Sequence, residues 1–288
     1  MDEQAALALI GDRLSAAGDD CAVVDGQVVT TDMLHERTDF PGGTTRYTAG
    51  WRAVGASLSD VASMGAEATA AVAVYAAPEF DADELTAFVD GAADVCEAVG
   101  AEYVGGDLDG HDEFTVATTA LGDTDDPVFR SGASPGDALC VTGTLGRSGA
   151  AVWLFERGEV ERANDLFRFE PRVRAGVALR QYATAMMDSS DGLARSVHQL
   201  CAASDCGADL SGPLPIDDAV DAVADDAEER RELGVFFGED FELVCTVPEA
   251  DLAVAREAVP CPLHRIGTVT DGAVTLDGTS LPDRGYSH

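Results

Sequence analysis

Five acidic segments of the chain combine carboxylates with hydroxyl groups or glycines, and each borders a run of apolar residues. They occupy residues 18–20 together with 30–32, 57–60, 105–107, 188–192 and 238–240. Carboxylate and hydroxyl oxygens are the ligands that a hard cation such as Mg²⁺ prefers. Each segment alone also fits an ordinary turn or helix face of an acidic protein. If the fold brings the segments together, however, their residue types predict a site for several Mg²⁺ ions.

The first segment is organised around a hairpin. Two short β-branched runs flank Asp25-Gly26, which is a strong signal for a tight turn between antiparallel strands. Folding back at this turn places Asp19 and Asp20 beside residues 30–32, whose sequence is Thr-Thr-Asp. The hairpin therefore predicts a group of oxygen ligands at its open end.

The other segments lie where a predicted helix or strand ends or where a carboxylate is unexpected. Asp60 stands among Ala, Val and Met on a predicted helix over 50–64, and a buried carboxylate is costly unless it is paired or bound to metal. Residues 188–192 (Asp-Ser-Ser-Asp-Gly) offer more polar groups than a helix cap requires. The glycines of 105–107 let a backbone approach a phosphate, although Gly-Gly-Asp and the segment 238–240 also fit plain turns.

A glycine-rich turn over 143–149 is a further candidate for phosphate binding through backbone N–H groups at a helix N-terminus. It is not a Walker A loop, because the chain has no lysine. Arg130 and Arg147 are candidate partners for nucleotide phosphates. The five histidines show no ligand spacing, and no Ser-His-Asp arrangement indicates a nucleophile. The seven cysteines form no Cys-x-x-Cys pair and fit reduced core thiols.

The charge of the chain narrows the possible partners and surroundings. Its 288 residues carry a formal net charge of −35, with 46% hydrophobic residues. Such self-repulsion is relieved in concentrated salt, where the Debye length falls to about 3 Å at 1 M, so we expect a halophilic protein. The charge opposes binding to nucleic acid or anionic membranes. No apolar run reaches spanning length and no basic signal region begins the chain, so a cytoplasmic protein is expected.

Apolar periodicity predicts alternating helices and strands in two domains, 1–125 and 126–288, joined at the acidic, proline-closed stretch 123–127. Local hairpins interrupt the alternation, which favours a layered α+β or α/β class. In the first domain we expect helices at 3–17, 50–64 and 83–99 and strands at 69–76, 103–104 and 114–121. In the second we expect strands at 138–142, 185–187, 241–247, 263–269 and 273–276, and helices at 148–157, 160–167, 171–182, 193–203, 217–233 and 249–258.

Together these segments resemble the thiamine-monophosphate kinases, members of a superfamily of ATP-using proteins. The superfamily also contains aminoimidazole ribonucleotide synthetase, selenophosphate synthetase and a hydrogenase-maturation protein. The matching stretches follow the family's order and cover nearly the whole chain: 18–24 (GDDCAVV), 30–40, 56–66, 105–107, 130–146, 187–194, 203–208, 238–247 (GEDFELVCTV) and 265–267.

The resemblance implies a two-domain aminoimidazole-ribonucleotide-synthetase-like fold, with an N-terminal sheet domain that binds ATP and Mg²⁺ and dimerises, and a C-terminal α/β domain. It implies a homodimer that transfers the γ-phosphoryl group of ATP to thiamine phosphate. The implied Mg²⁺ ligands are Asp20, Thr30, Thr31, Asp32, Asp60, Asp107, Asp188 and Asp191. The implied ATP contacts are Gly106, Asp107, Arg130 and Ser190, and the implied substrate contacts are Asp39 and Glu239. Asp39 stands where the family often has histidine, and Tyr286 is a candidate for the aromatic that packs on thiamine.

The implied reaction agrees with the residue types present. A phosphate acceptor has a second pKa near 6, so its oxygen is largely deprotonated at neutral pH and needs no general base. Mg²⁺ held by aspartates would neutralise two polyanions and align them for direct in-line transfer. Two alternatives stay open: another ATP-using member of the superfamily, such as an aminoimidazole ribonucleotide synthetase, or an acidic metal-binding module without catalysis.

Overall fold

The computed structural model describes residues 10–11, 13–14 and 18–285. Most of the predicted helix over 3–17, and Tyr286, lie outside the described residues. Within the described part, the strands form a five-stranded and a seven-stranded sheet. No described helix is both long and apolar enough to cross a membrane.

The first sheet contains β1 (Ala22–Val24), β2 (Gln27–His35), β3 (Glu67–Ala77), β4 (Glu102–Gly110) and β5 (Thr115–Asp123), in the order β1-β2-β5-β3-β4. β3 and β4 are parallel, and the other neighbours are antiparallel. Asp25 and Gly26 both have positive φ, 52° and 84°, as a type I′ hairpin turn requires. The strand expected to end at residue 104 instead continues through the two glycines to Gly110, because it pairs with β3 along its whole length.

From residue 18 onwards, the first half contains the helices α1 (Glu36–Asp39), α2 (Arg46–Ser63) and α3 (Ala82–Val99). α2 and α3 cross closely at two glycines. A Cβ atom on Gly50 would lie 2.1 Å from the carbonyl oxygen of Phe88, and one on Gly91 would lie 2.0 Å from that of Tyr47. α2 is buried along most of its length, so its polar residues need partners inside the protein.

The second sheet has the order β12-β11-β8-β10-β6-β9-β7. Its strands are β6 (Ala138–Thr142), β7 (Ala185–Asp188), β8 (Gly207–Leu210), β9 (Leu243–Val247), β10 (Leu263–Thr270), β11 (Thr275–Leu276) and β12 (Thr279–Ser280). The helices of the second half are α4 (Arg147–Glu156), α5 (Val160–Phe167), α6 (Val173–Leu179), α7 (Leu193–Ala203), α8 (Asp218–Asp221), α9 (Ala227–Arg231), a π-helix (Glu232–Phe236) and α10 (Leu252–Ala258). The single helix expected over 217–233 is wrong, because the Asp226 side chain caps a new helix by accepting from the Glu228 and Glu229 N–H groups.

The two halves share a hydrophobic core. Val54 and Leu58 of α2 belong to the same buried cluster as Met186 of β7 and Leu243 of β9. α6 packs on α2 so closely that a Cβ atom on Gly176 would lie 2.0 Å from the Ala62 carbonyl oxygen. The carboxyl-terminal part of α2 therefore lies at the junction of the halves, where side chains from both can meet.

Candidate functional site

Three carboxylates from three different elements meet at this junction. Asp20 precedes β1, Asp60 lies on α2 and Asp188 ends β7, and one oxygen from each lies within 4.8 Å of the other two. We call these residues the Asp20–Asp60–Asp188 cluster. It combines two carboxylates of the first half with one of the second, so the fold brings three of the five acidic segments together.

Hydrogen bonds hold the cluster but leave some of its oxygens available. Thr30 Oγ1 donates to Asp60 Oδ2 at 2.6 Å, Arg130 Nη2 donates to Asp20 Oδ1 at 2.5 Å, and the Ser190 N–H donates to Asp188 Oδ1 at 3.2 Å. The second oxygens of Asp20 and Asp188 are buried and accept no hydrogen bond from the described part of the chain. Buried acceptors without donors fit a cation ligand, because leaving them unpaired is costly.

Burial and the negative charges of neighbouring carboxylates raise the pKa values of two members of the cluster, Asp60 and Asp188. Burial is the largest cause that raises the pKa of Asp60, and the charges of Asp32, Asp188 and Asp20 raise it further. Burial and then the charge of Asp20 raise the pKa of Asp188 to about 7, although the side chains of Ser59 and Ser190 and the Ser190 N–H oppose the shift. A bound cation would favour the charged form of each carboxylate and lower these pKa values.

Asp32 lies beside the cluster on β2. Ser57 Oγ of α2 donates to Asp32 Oδ2 at 2.5 Å, and its oxygen is 2.7 Å from Thr118 Oγ1. Because side chains alternate along a strand, Thr30 and Asp32 face the helices while Thr31 faces the opposite side of the sheet. Thr31 Oγ1 donates to the Thr118 carbonyl oxygen at 2.8 Å. The Thr31 side chain therefore lies on the sheet face away from Asp60, and its ligation of Mg²⁺ stays a prediction.

Asp191 and Ser190 follow the cluster on the turn into α7. Gln199 Nε2 of α7 donates to Asp191 Oδ2 at 3.1 Å, which anchors that carboxylate to the helix that follows. Ser190 also accepts the Glu239 N–H through its carbonyl oxygen at 2.7 Å. The turn is thus held from two sides while Asp188 reaches the cluster.

Gly106 and Asp107 lie away from the cluster. Asp32, Thr118, Ala73 and Gly106 are consecutive partners across the sheet, so three strand spacings, about 14 Å, separate Asp32 from Gly106. Asp107 is exposed on the edge strand β4, and its Oδ1 accepts the Leu108 N–H at 2.9 Å. The structure does not bring Asp107 together with the other predicted Mg²⁺ ligands of the same chain.

A groove of about 640 Å³ runs between α3 and β4 beside these residues. Its lining includes Gly106, Asp107 and the apolar side chains of Phe88 and Val104. An apolar wall with a glycine-rich backbone and one carboxylate has the composition of a small-molecule site. The groove is therefore a second candidate site in the first half.

The two predicted substrate contacts are engaged inside the protein. Asp39 is buried and its Oδ2 accepts from the His35 N–H and from Thr38 Oγ1, both at 2.7 Å. Glu239 Oε2 accepts from Arg52 Nη2 at 2.6 Å. Either carboxylate would contact a substrate through its other oxygen or by exchanging one of these partners.

The glycine-rich turn before α4 also uses its donors internally. The Gly146 N–H donates to Asp240 Oδ2 at 2.5 Å, and the Ser148 N–H donates to Asp240 Oδ1 at 3.0 Å. Burial raises the pKa of Asp240 to about 7, and these two hydrogen bonds oppose the shift. A protein carboxylate thus occupies the donors expected to bind phosphate.

Arg52 is a polar residue of the site that the sequence analysis did not identify, and Ser57, although it lies in the predicted segment 57–60, received no role there. Arg52 is 1% exposed and Ser57 is fully buried, both on α2 with Asp60. The signal that identified Asp60, a polar residue in an otherwise apolar helix, applies equally to them. It could not identify their partners, because these lie 25 residues away for Ser57 and 187 residues away for Arg52.

Comparisons with known proteins show which family this chain resembles. Two family models match, "AIR synthase related protein, N-terminal domain" over residues 18–124 and the C-terminal domain over 134–277. Thiamine-monophosphate kinase of Halobacterium salinarum is 64% identical over the full length of both chains, and that of Methanospirillum hungatei is 41% identical over 94% of this chain and 92% of its own.

Solved structures of related proteins have the same fold as this chain. The structure of AaThiL complexed with AMPPCP and TMP aligns with a TM-score of 0.89 and 26% identity over 99% of this chain and 96% of that chain. A hydrogenase-maturation protein HypE in complex with ATP aligns with a TM-score of 0.73 at 20% identity, over 93% of this chain and 85% of its own, which shows a shared fold. The predicted fold class and the predicted resemblance are confirmed.

Proposed function

Because the chain belongs to the thiamine-monophosphate kinase family, we propose that it transfers the γ-phosphoryl group of ATP directly to thiamine phosphate, giving thiamine diphosphate and ADP. The relative AaThiL binds AMPPCP and TMP, which supports ATP and thiamine phosphate as the two ligands. The Asp20–Asp60–Asp188 cluster is the structural observation that supports metal-assisted phosphoryl transfer. Its buried, partly unpaired oxygens lie where the halves of the chain meet.

The donor set of the cluster fits Mg²⁺. All of its ligand atoms are oxygens, and Thr30 and Asp32 add a hydroxyl and a further carboxylate beside them. Bound Mg²⁺ would neutralise phosphate oxygens and favour in-line attack. Asp20, Asp32, Asp60 and Asp188 hold the ions in this proposal, and Asp191 adds a ligand at the rim of the same turn.

The protein groups around the cluster bind and orient the phosphates. Arg130 is held by its backbone, because its N–H donates to Asp19 Oδ1 at 2.6 Å and its carbonyl oxygen accepts from Ser204 Oγ at 3.2 Å. Its side chain is 24% exposed, and its guanidinium bonds to Asp20 of the cluster. Ser190 offers its hydroxyl from the turn before α7. We propose that both contact the phosphates of ATP, while the acceptor phosphate needs no protein base.

The separation of Asp107 from the cluster supports a homodimer with shared sites. Since about 14 Å of sheet lies between Asp32 and Gly106, we propose that Gly106 and Asp107 of one subunit serve ATP and Mg²⁺ bound at the cluster of the other. The sheet face opposite α2 and α3 exposes Met33 and Val74, which are 59% and 38% exposed, and can supply the interface.

Mixing two inactive variants tests the shared site. Asp32→Asn removes a proposed ligand beside the cluster of one subunit. Asp107→Asn removes the proposed ligand that the other subunit contributes to the same site. If the sites are shared, random dimers regain about a quarter of the wild-type activity, because half are mixed and each mixed dimer has one intact site. Sites made by one subunit give no recovery.

The assignments of the remaining residues follow from their positions. The groove beside Gly106 and Asp107 would take the base and ribose of ATP. Asp39 and Glu239 stay predicted substrate contacts. The division of the chain into domains 1–125 and 126–288 is likewise a proposal, in which one domain supplies Asp20 and Asp60 and the other supplies Asp188.

Product analysis separates the proposed reaction from its alternatives. The full chain is incubated with MgATP and thiamine phosphate in molar salt, and thiamine diphosphate and ADP are quantified by chromatography. Equal amounts of both products support the proposal. Turnover only with an aminoimidazole ribonucleotide precursor, or Mg²⁺ binding without ADP formation, would contradict it. A phosphorylated protein that passes its label from ATP to thiamine phosphate would contradict direct transfer.

A further inference from the structure

Arg52 is a buried arginine that joins the halves of the chain. It lies on α2 and is 1% exposed. Its Nη1 donates to Ser148 Oγ at 3.1 Å and to the Phe167 carbonyl oxygen at 2.6 Å, and its Nη2 donates to Glu239 Oε2 at 2.6 Å. Its guanidinium also lies 3.6 Å from the centre of the Phe167 ring. These partners all belong to the second half.

Arg52 lies on the same stripe of α2 as the metal ligand Asp60. Residues 52, 56 and 60 are spaced by four and therefore point in similar directions, with about 12 Å of helix between the first and the last. Ala56, between them, packs against the stacked rings of Phe169 and Phe241, whose centres are 4.2 Å apart. One stripe of the helix thus contacts the second half at three successive levels.

The loop held by Arg52 leads directly to the other side of the cluster. Glu239 and Phe241 have positive φ, 63° and 54°, a conformation that persists in such residues only when surrounding contacts hold it. The Glu239 N–H donates to the Ser190 carbonyl oxygen at 2.7 Å, and the Glu242 N–H donates to Ser189 Oγ at 3.0 Å. Loop 238–242 is therefore bonded to both residues that follow Asp188.

We infer that Arg52 is a positioning residue, which fixes loop 238–242 and through it sets Asp188 against Asp20 and Asp60. The inference rests on the proposed function, since it assumes that the cluster binds a divalent cation. Arg52 contacts neither the cluster nor, in this account, a substrate. Its effect on the metal is indirect, through Glu239 and the Ser189-Ser190 turn.

A purely structural role predicts a different outcome from a positioning role. Removing one partner of a buried ion pair destabilises a protein whatever its function. Stability alone therefore does not separate the two roles, whereas metal affinity of the folded protein does. Losing a residue that orients metal ligands typically weakens metal binding about 10–100-fold.

The matched control is Arg180, which also joins the halves but does not bond to the turn after Asp188. Its Nη1 donates to the Gly65 carbonyl oxygen at 3.3 Å and to Thr124 Oγ1 at 3.2 Å. The experiment measures Mn²⁺ binding to the full chain, without nucleotide, from the electron paramagnetic resonance signal of free Mn²⁺. Arg52→Met, Arg52→Lys, Glu239→Gln and Arg180→Met are compared in molar salt at a temperature where circular dichroism shows each to be folded.

The inference predicts that Arg52→Met and Glu239→Gln weaken Mn²⁺ binding about tenfold or more. Arg52→Lys should recover part of the loss, and Arg180→Met should stay within about twofold of the wild type. If Arg52→Met does not fold, the Mn²⁺ affinity of Glu239→Gln decides the test. Wild-type affinity in a folded Arg52→Met or in Glu239→Gln would overturn the positioning role. A wild-type protein that binds no Mn²⁺ would instead overturn the proposed metal site, and this inference with it.

Discussion

Replacing Asp188 by asparagine should stabilise the metal-free protein although it removes a metal ligand. Asp188 is completely buried beside Asp20, and its pKa is raised from 3.8 to about 7. A rise of about 3 pH units corresponds to about 4 kcal/mol of unfavourable free energy once the folded carboxylate is charged. Asparagine keeps the shape without the charge, and its amide can donate to the neighbouring carboxylates.

The sign and the pH range follow from the raised pKa. Asp188 contributes full stability below its ordinary pKa, and this contribution is lost as the pH rises through about 7. Relative to the variant, the wild type should therefore lose about 2 kcal/mol of its free energy of unfolding at pH 5.5 and up to about 4 kcal/mol above pH 8.

Urea unfolding followed by circular dichroism measures this difference, in 2 M KCl with EDTA, at pH 5.5 and 8.5. Asp90→Asn controls for the loss of one negative charge, because Asp90 is exposed on α3. With saturating Mg²⁺ the order should reverse, since a ligand that binds the folded state stabilises only the protein that binds it. The reasoning is refuted if Asp188→Asn is no more stable than the wild type at pH 8.5 in EDTA.

Three further predictions concern single features of the chain. Asp32→Asn should reduce turnover to background while urea unfolding stays within about 1 kcal/mol of the wild type, because Ser57 can still donate to an amide oxygen; near-normal turnover would remove Asp32 from the site. Arg172→Met should lower the free energy of unfolding by about 3–5 kcal/mol, because it leaves the carboxylate of Glu242 buried without its arginine. Glu242 is 2% exposed and accepts from Arg172 at 2.6 and 2.7 Å, and a loss below about 1 kcal/mol in urea unfolding would contradict this prediction. Lowering KCl from 2 M to 0.1 M should lower the melting temperature, because the −35 net charge is then screened over about 10 Å instead of less than 3 Å; a salt-independent melting temperature in differential scanning calorimetry would argue against halophilic adaptation.

Local signals in the sequence predicted much of the scaffold. The Asp25-Gly26 turn has the backbone that such a pair favours, and the helix predicted over 83–99 does end at Val99, with Gly100 at φ 87° as its C-cap. The register of β4 was not predictable from its own residues, because Gly105 and Gly106 resemble a turn until β3 is known to pair beside them.

Candidate site residues could be identified from the sequence where a polar residue stands among apolar neighbours. They could not be identified where the role depends on a contact with a residue far away in the chain. Asp60 is conspicuous in an apolar helix, and Asp188 ends a buried strand. By contrast, nothing local shows that Asp240 accepts the N–H groups of the glycine-rich turn or that Arg52 pairs with Glu239. These contacts join residues far apart in the chain, and they exist only once the halves are packed together.

The most direct test of the account locates metal ions in crystals of the full chain grown with Mn²⁺, AMPPCP and thiamine phosphate. Anomalous scattering identifies Mn²⁺ independently of the protein density. If the cluster binds the ions as proposed, peaks lie within about 2.3 Å of oxygens of Asp20, Asp60 and Asp188, between the phosphates of the two ligands. Phosphates bound elsewhere, with no peak among these three carboxylates, would contradict it.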